Sequence, residues 1–205
     1  MHRFLRWRLA AAALAVGCAA VVGCAGPGNL AGVEASPDTA PQDSSPATVT
    51  PVAEGPVLVA QGMAFDPVSH DVEPNEDCEG IAGRETLETF DRAAWPELDV
   101  PAGEAIMTCG NAQGAGWRHI ADGHTGDFTE LAQPIGSDWE DVAWFAIDRA
   151  LEQPTRVEEY RDDIVNYDVL VELLEDGEVT RSWIVTVGVG LRTTQVITAF
   201  PDEQQ

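Results

Sequence analysis

The C-terminal segment alternates apolar and polar side chains with a period of two, which restricts the fold more than any other sequence feature. One face of its first strand carries only large apolar side chains: Val165, Tyr167, Val169, Val171 and Leu173. Asp176-Gly177 is a strong hairpin signal, so a second strand is expected over Val179–Val187. A turn at Gly188–Thr193 then leads to a third strand, Gln195–Phe200, which Pro201 ends. The segment predicts a three-stranded antiparallel meander.

An amphipathic helix is predicted over Asp138–Glu152, just before the meander. Ser137 and Glu140 have the spacing of a capping box, in which each side chain bonds the other residue's backbone amide. Apolar residues recur at steps of three and four on one face: Trp139, Val142, Ala143, Ala146 and Ala150. Pro154 ends the pattern.

Shorter elements are predicted earlier in the chain. Arg84–Ala94 has helical spacing, and Arg118–Ala121 is a short helix that Asp122-Gly123 ends. Ala105–Cys109 is a strand or a buried extended segment, and Val57–Phe65 is a first strand or an irregular lead-in. Helices first and strands afterwards indicate an α+β fold, with N-terminal helices packed on a C-terminal antiparallel β-meander.

The N-terminus resembles the signal of a bacterial lipoprotein. A basic start is followed by the apolar run Leu9–Val22, which ends in the lipobox-like Val21-Val22-Gly23-Cys24. We expect removal of residues 1–23 and attachment of lipid, including palmitate, to Cys24. This predicts an anchor on the extracytoplasmic face of the cell membrane. An ordinary secretory signal that happens to contain two cysteines is the alternative.

Residues 24–55 are rich in Pro, Ser, Thr, Ala and Gly and show no sustained apolar periodicity. Such a segment cannot bury enough apolar surface to offset its loss of conformational entropy, so we expect a disordered tether. Residues 56–205 remain as a single globular domain, long enough to bury a core.

The chain is strongly acidic, with 35 Asp and Glu against 11 basic residues, all of them arginine, and a formal net charge of -24. Such a surface repels nucleic acid and anionic lipid at long range. Solubility, or adaptation to salt outside the cell, explains this composition. An acidic face for a basic partner is the alternative.

Cys78 and Cys109 are the two cysteines of the predicted domain. In an exported domain such a pair predicts a disulfide. The pair lacks the close spacing that zinc sites use, so no metal is expected. A thiol nucleophile remains the alternative.

His119 and His124 are candidates for acid–base chemistry because imidazole titrates near neutral pH. On a continuous helix, five residues would turn the two rings about 140° apart. We expect Gly123 to break the helix, so that His124 folds back toward His119. A packed His119 and an exposed loop His124 are the alternative.

This region resembles the barnase/EndoU/colicin/RelE-like nuclease domains of bacterial polymorphic toxins and phage proteins. The resemblance runs over about residues 105–201 and rests on Arg118-His119-Ile120, His124, the capped helix and the closing segment Val196–Pro201. It implies a metal-independent ribonuclease without a cofactor.

Under the resemblance, His119 is a general base or acid and His124 is its partner. Thr198 binds a phosphate oxygen, and Arg118 or Arg192 stabilises the charge on phosphorus. We expect Thr198 to share a strand face with Val196 and Phe200, and to line one cleft with the two histidines.

Two other functions stay open, because the domain is acidic and has no lysine. The first is a non-catalytic surface lipoprotein that binds a protein or a cell-wall component on the same scaffold. The second is an acidic inhibitor that mimics nucleic acid. The partner is therefore RNA or a protein, in addition to the membrane reached through Cys24.

Overall fold

The computed structural model describes residues 55–67, 72–161 and 163–204. The predicted signal peptide, Cys24 and nearly all of the predicted tether lie outside these residues. Within the described ranges, no helix is both long enough and apolar enough to cross a membrane.

The chain forms a mixed α+β fold, which confirms the predicted class. Its elements in chain order are β1 Val57–Ala60, β2 Met63–Ala64, α1 Pro74–Asp77, β3 Thr86–Arg92, β4 Gly103–Thr108, α2 Trp117–Ala132, α3 Trp139–Glu152, β5 Arg156–Arg161, β6 Ile164–Glu175, β7 Glu178–Gly190 and β8 Val196–Glu203. The large sheet has the order β2-β1-β6-β7-β8, with β5 also paired to β6, and every pairing is antiparallel. β3 and β4 form a separate hairpin.

The core lies on one face of β6 and β7, where the period-two pattern placed it. All five predicted residues of β6 are buried, and four of them, all but Leu173, pair with an equally buried row on β7: Trp183, Val185, Val187 and Val189. Helix α3 packs against β6 and β7. Each large apolar side chain that it buries contributes roughly 1.5–3 kcal/mol.

The helix predicted over Arg84–Ala94 is wrong, because this segment is strand β3. Its spacing of Leu87, Phe90 and Ala94 suits a helix, but the backbone pairs with β4 instead. Phe90 is then buried against Trp144, with 5.4 Å between ring centroids. Strand pairing with β4 and the burial of Phe90 stabilise this segment more than the apolar spacing of a short helix would.

The short helix predicted over Arg118–Ala121 is also wrong in length. Helix α2 continues through Gly123 and Gly126 to Ala132. Each glycine costs about 1 kcal/mol relative to alanine. The far end of the helix offsets this cost by burying further apolar side chains, Phe128, Leu131 and Ala132.

The capping box predicted for α3 does not form. The N-cap residue is Asp138, and its side chain makes no capping hydrogen bond. The Glu140 carboxylate accepts hydrogen bonds from the backbone and side-chain amides of Asn75 instead. Asn75 in turn accepts a hydrogen bond from Nε1 of Trp117 at 2.8 Å. Glu140 therefore ties α1 to the starts of α2 and α3.

The C-terminal strands are longer than predicted. The Asp176-Gly177 hairpin is confirmed, with φ values of 53° and 83°. β7 runs on to Gly190. The turn predicted over Gly188–Thr193 therefore begins later than expected. β8 continues through Pro201, which pairs with Val185. A proline is tolerated because β8 is an edge strand of the sheet.

Candidate functional site

The predicted disulfide joins Cys78 and Cys109, with 5.4 Å between their Cα atoms. Arg118, on the first turn of α2, donates hydrogen bonds beside it to the backbone carbonyls of Cys78, Ile81 and Gly110. The disulfide fastens the segment after α1 to the end of β4, and the Arg118 guanidinium fastens the same segment to the start of α2.

Arg118 and Arg192 are the two guanidinium groups expected near phosphate. Arg118 is committed to carbonyl oxygens, as described above. Arg192 lies in the turn after β7, is mostly exposed and pairs with Asp163 at 2.8 Å, which lowers the pKa of that carboxyl. In the described part of the chain, no hydrogen bond or ion pair joins either guanidinium to a histidine.

Helix α2 and strand β8 run side by side in the same direction. At one end, the Gly116 amide donates to the Ile197 carbonyl at 3.2 Å. At the other end, the rings of His124 and Phe200 have centroids 5.4 Å apart. Eight helical residues span about 12 Å, and three strand residues span about 10 Å. His119 therefore lies on α2 between these two contacts.

His119 and His124 are brought together, although the helix between them is unbroken. Their ring centroids are 6.1 Å apart and their planes meet at 86°. The expected break at Gly123 is wrong. The proximity comes from the orientation of the side chains and not from a bend in the backbone.

Each imidazole is oriented by a partner at Nδ1. His119 Nδ1 lies 2.9 Å from the carbonyl oxygen of Ala112, and His124 Nδ1 lies 3.0 Å from Oδ2 of Asp127. Because both partners only accept hydrogen bonds, Nδ1 carries the hydrogen in each ring. The lone pair of each neutral imidazole is therefore on Nε2, where it can take up a proton.

Thr198 lies on the same face of β8 as Phe200 and opposite to the core. The predicted shared face with Val196 is wrong, because the register shifts between Gly188 and Val189 on the neighbouring strand. Val196 pairs with buried Val189, whereas Thr198 pairs with Gly188. Because β8 has one extra residue at this point, the side chains before and after it do not keep the regular alternation between the two faces of the sheet.

The Thr198 hydroxyl oxygen is buried and has no hydrogen-bond partner among the described residues. Leaving a buried hydroxyl unpaired costs roughly 1–3 kcal/mol. Because Oγ1 is covered, it is closed to a ligand in this conformation. Gly188 helps to leave space there, since a Cβ at that position would lie 3.3 Å from Cγ2 of Thr198.

Sequence reasoning missed Asp127, Phe200 and the Ala112 carbonyl as parts of this site. The spacing of three between His124 and Asp127 would have revealed their contact if α2 had been predicted beyond Gly123. The roles of Phe200 and Ala112 had no local signal, because they depend on how β8 and the preceding loop lie against α2.

The chain matches no family model, no curated protein and no solved structure in comparisons with known proteins. The described residues also contain no group of three or more His, Cys, Asp or Glu placed to hold a metal ion.

Proposed function

We propose that this protein is an exported lipoprotein, anchored through Cys24, with a metal-independent endoribonuclease-like domain whose helices pack on the C-terminal meander. The observation that carries this proposal is the His119–His124 pair, with rings 6.1 Å apart and Nδ1 engaged in both. Two imidazoles that each present Nε2 form an acid and base pair at neutral pH.

In the proposed reaction, Nε2 of His119 takes the proton from a ribose 2′-hydroxyl. The 2′-oxygen attacks the adjacent phosphorus while the bond from phosphorus to the 5′-oxygen breaks. Protonated His124 gives its Nε2 proton to that leaving oxygen. The products are a 2′,3′-cyclic phosphate and a 5′-hydroxyl, so atoms and charge balance without an added reagent.

The two roles follow from the Nδ1 partners. The Asp127 carboxylate bonds Nδ1 of His124, and we assign that residue the acid role. Ala112 supplies only a neutral carbonyl to His119, which suits that residue to the base role. Thr198 would donate its hydroxyl to a phosphate oxygen after χ1 rotation. Arg118 or Arg192 would supply positive charge after leaving its present partners, the three carbonyl oxygens or the Asp163 carboxylate.

The decisive experiment incubates the full chain with mixed RNA in the presence of EDTA. We expect 2′,3′-cyclic phosphate ends and a loss of at least ~100-fold in His119→Ala. Thr129→Ala, an exposed change on the same helix, is the matched control and should retain activity. Unchanged cleavage in His119→Ala, or cleavage abolished by EDTA, would overturn the proposal.

A second function is favoured by the charge of the chain, which is -24 and repels nucleic acid. It is a non-catalytic surface lipoprotein that binds a protein or a cell-wall component on the same scaffold. Absence of RNA cleavage by wild-type protein that is folded and disulfide-bonded would favour this function.

A further inference from the structure

A groove of about 500 Å³ separates β3 from α3, and none of its lining residues belongs to the histidine site. Phe90, Trp144 and Phe145 line it and, because each is almost completely buried, form its floor. Met63 lines it as well and is 49% exposed, so the groove presents apolar surface to solvent. This volume lies in the range of ordinary ligand pockets, about 300–1,000 Å³.

Carboxylates surround this apolar floor. Four of them line the groove, namely Glu88, Asp91, Asp148 and Glu152, against the single guanidinium of Arg149. Arg149 is almost fully buried and already pairs with Asp148 and Glu152.

Glu88 and Asp91, on the strand side, differ from the helix-side carboxylates. No basic side chain pairs with either of them in the described ranges. Negative charge above low-dielectric walls concentrates the field in a cleft and attracts cations. The strand side of the groove therefore has unmatched negative charge directly beside apolar surface.

We propose that this groove binds a basic, amphipathic peptide segment of another protein. Lysine or arginine head groups lie against Glu88 and Asp91, while their aliphatic stems and neighbouring apolar side chains cover Met63 and the aromatic floor. Lysine and arginine suit such a surface because their stems are apolar and only their ends are charged.

Net charge favours a basic peptide over two other occupants of the groove, namely residues 25–54 of this chain and a second copy of the chain. Residues 25–54 contain four acidic residues and no lysine or arginine, so this segment would be repelled. A second copy of the chain has the same net charge of -24 and would be repelled as a whole. A basic partner lowers the electrostatic energy of the groove, whereas both alternatives raise it.

The experiment measures fluorescence anisotropy of the full chain with a labelled octapeptide of alternating lysine and leucine. Binding should weaken about tenfold in Glu88→Gln/Asp91→Asn, since each charge pair of a half-buried or exposed carboxylate contributes modestly. Glu175→Gln/Glu178→Gln, on the exposed β6–β7 hairpin, removes the same two charges and should bind as wild type does. A peptide of alternating lysine and glycine should bind more weakly, because it cannot cover Met63.

Equal weakening in the two double variants would show attraction to net charge alone and would overturn the proposal. Equal affinity for the lysine–leucine and lysine–glycine peptides would also overturn it. Tighter peptide binding after deletion of residues 25–54 would assign the groove to that segment. A dimer in sedimentation that Glu88→Gln/Asp91→Asn dissociates would assign it to a second copy.

Discussion

The imidazole of His124 stands edge-on to that of His119, with 6.1 Å between centroids, although the two residues are five positions apart on an unbroken helix. Five residues rise about 7.5 Å along the helix axis. The two side chains meet because the Ala112 carbonyl and the Asp127 carboxylate fix their orientations from outside the pair. The side-chain rotamers of the two histidines therefore define the site as much as the backbone of α2 does.

The first prediction concerns the tautomer of the two rings. When neutral, both histidines should carry their hydrogen on Nδ1, because a carbonyl and a carboxylate each accept a hydrogen bond there. Long-range ¹⁵N–¹H correlation spectra measure this directly. Asp127→Ala is the matched variant, since it should release His124 from this tautomer and leave His119 unchanged. A hydrogen on Nε2 of wild-type His119 would contradict the prediction.

The second prediction concerns the disulfide. Cys78→Ser/Cys109→Ser should lower the free energy of unfolding by roughly 3–4 kcal/mol, because the bond closes a loop of 31 residues. Urea denaturation measures the loss, and wild type treated with dithiothreitol should unfold like the variant. Two free thiols in native exported protein, found by mass spectrometry, would contradict the presence of the bond in the cell.

The third prediction concerns the pH dependence of stability at Glu140. Burial raises the pKa of this carboxyl above its ordinary 4.5, and the hydrogen bonds from Asn75 oppose the rise in part. The folded state therefore binds the proton more tightly than the unfolded state does. The resulting stabilisation is complete below pH 4.5 and is lost as the pH rises through the folded pKa.

Glu140→Gln cannot titrate, so it isolates this contribution. The unfolding free energy of wild type relative to the variant should fall as the pH rises from 4.5 through the raised pKa of Glu140. Urea denaturation at several pH values provides the measurement, and Glu175→Gln on the exposed hairpin controls for the general loss of an acidic charge. A difference that stays constant with pH would show that Glu140 does not carry this linkage.

The fourth prediction concerns the anchor. Cys24→Ser should release the protein from membranes or leave its signal unprocessed, because we propose that lipid attaches to the thiol of this lipobox cysteine. Metabolic labelling with a fatty-acid probe should mark wild type and not the variant. An unlabelled wild-type chain in a host that labels its other lipoproteins would rule the anchor out.

Several features were determined by the sequence itself, because they rest on local or periodic signals. The alternation on β6 and the Asp176-Gly177 turn predicted a hairpin whose buried face is confirmed. The apolar spacing of α3 predicted a helix that the structure has over Trp139–Glu152. With Cys78 and Cys109 the sequence also predicted the disulfide that the structure shows.

Other features were decided by tertiary structure, because they depend on partners distant in the chain. Segment 86–92 became a strand because β4 pairs with it, and α2 continued past Gly123 because apolar residues beyond it are buried. A single register shift on β8 turned Thr198 away from Val196. No local pattern encodes where a helix lies along a sheet edge, so the approach of His124 to Phe200 came from packing alone.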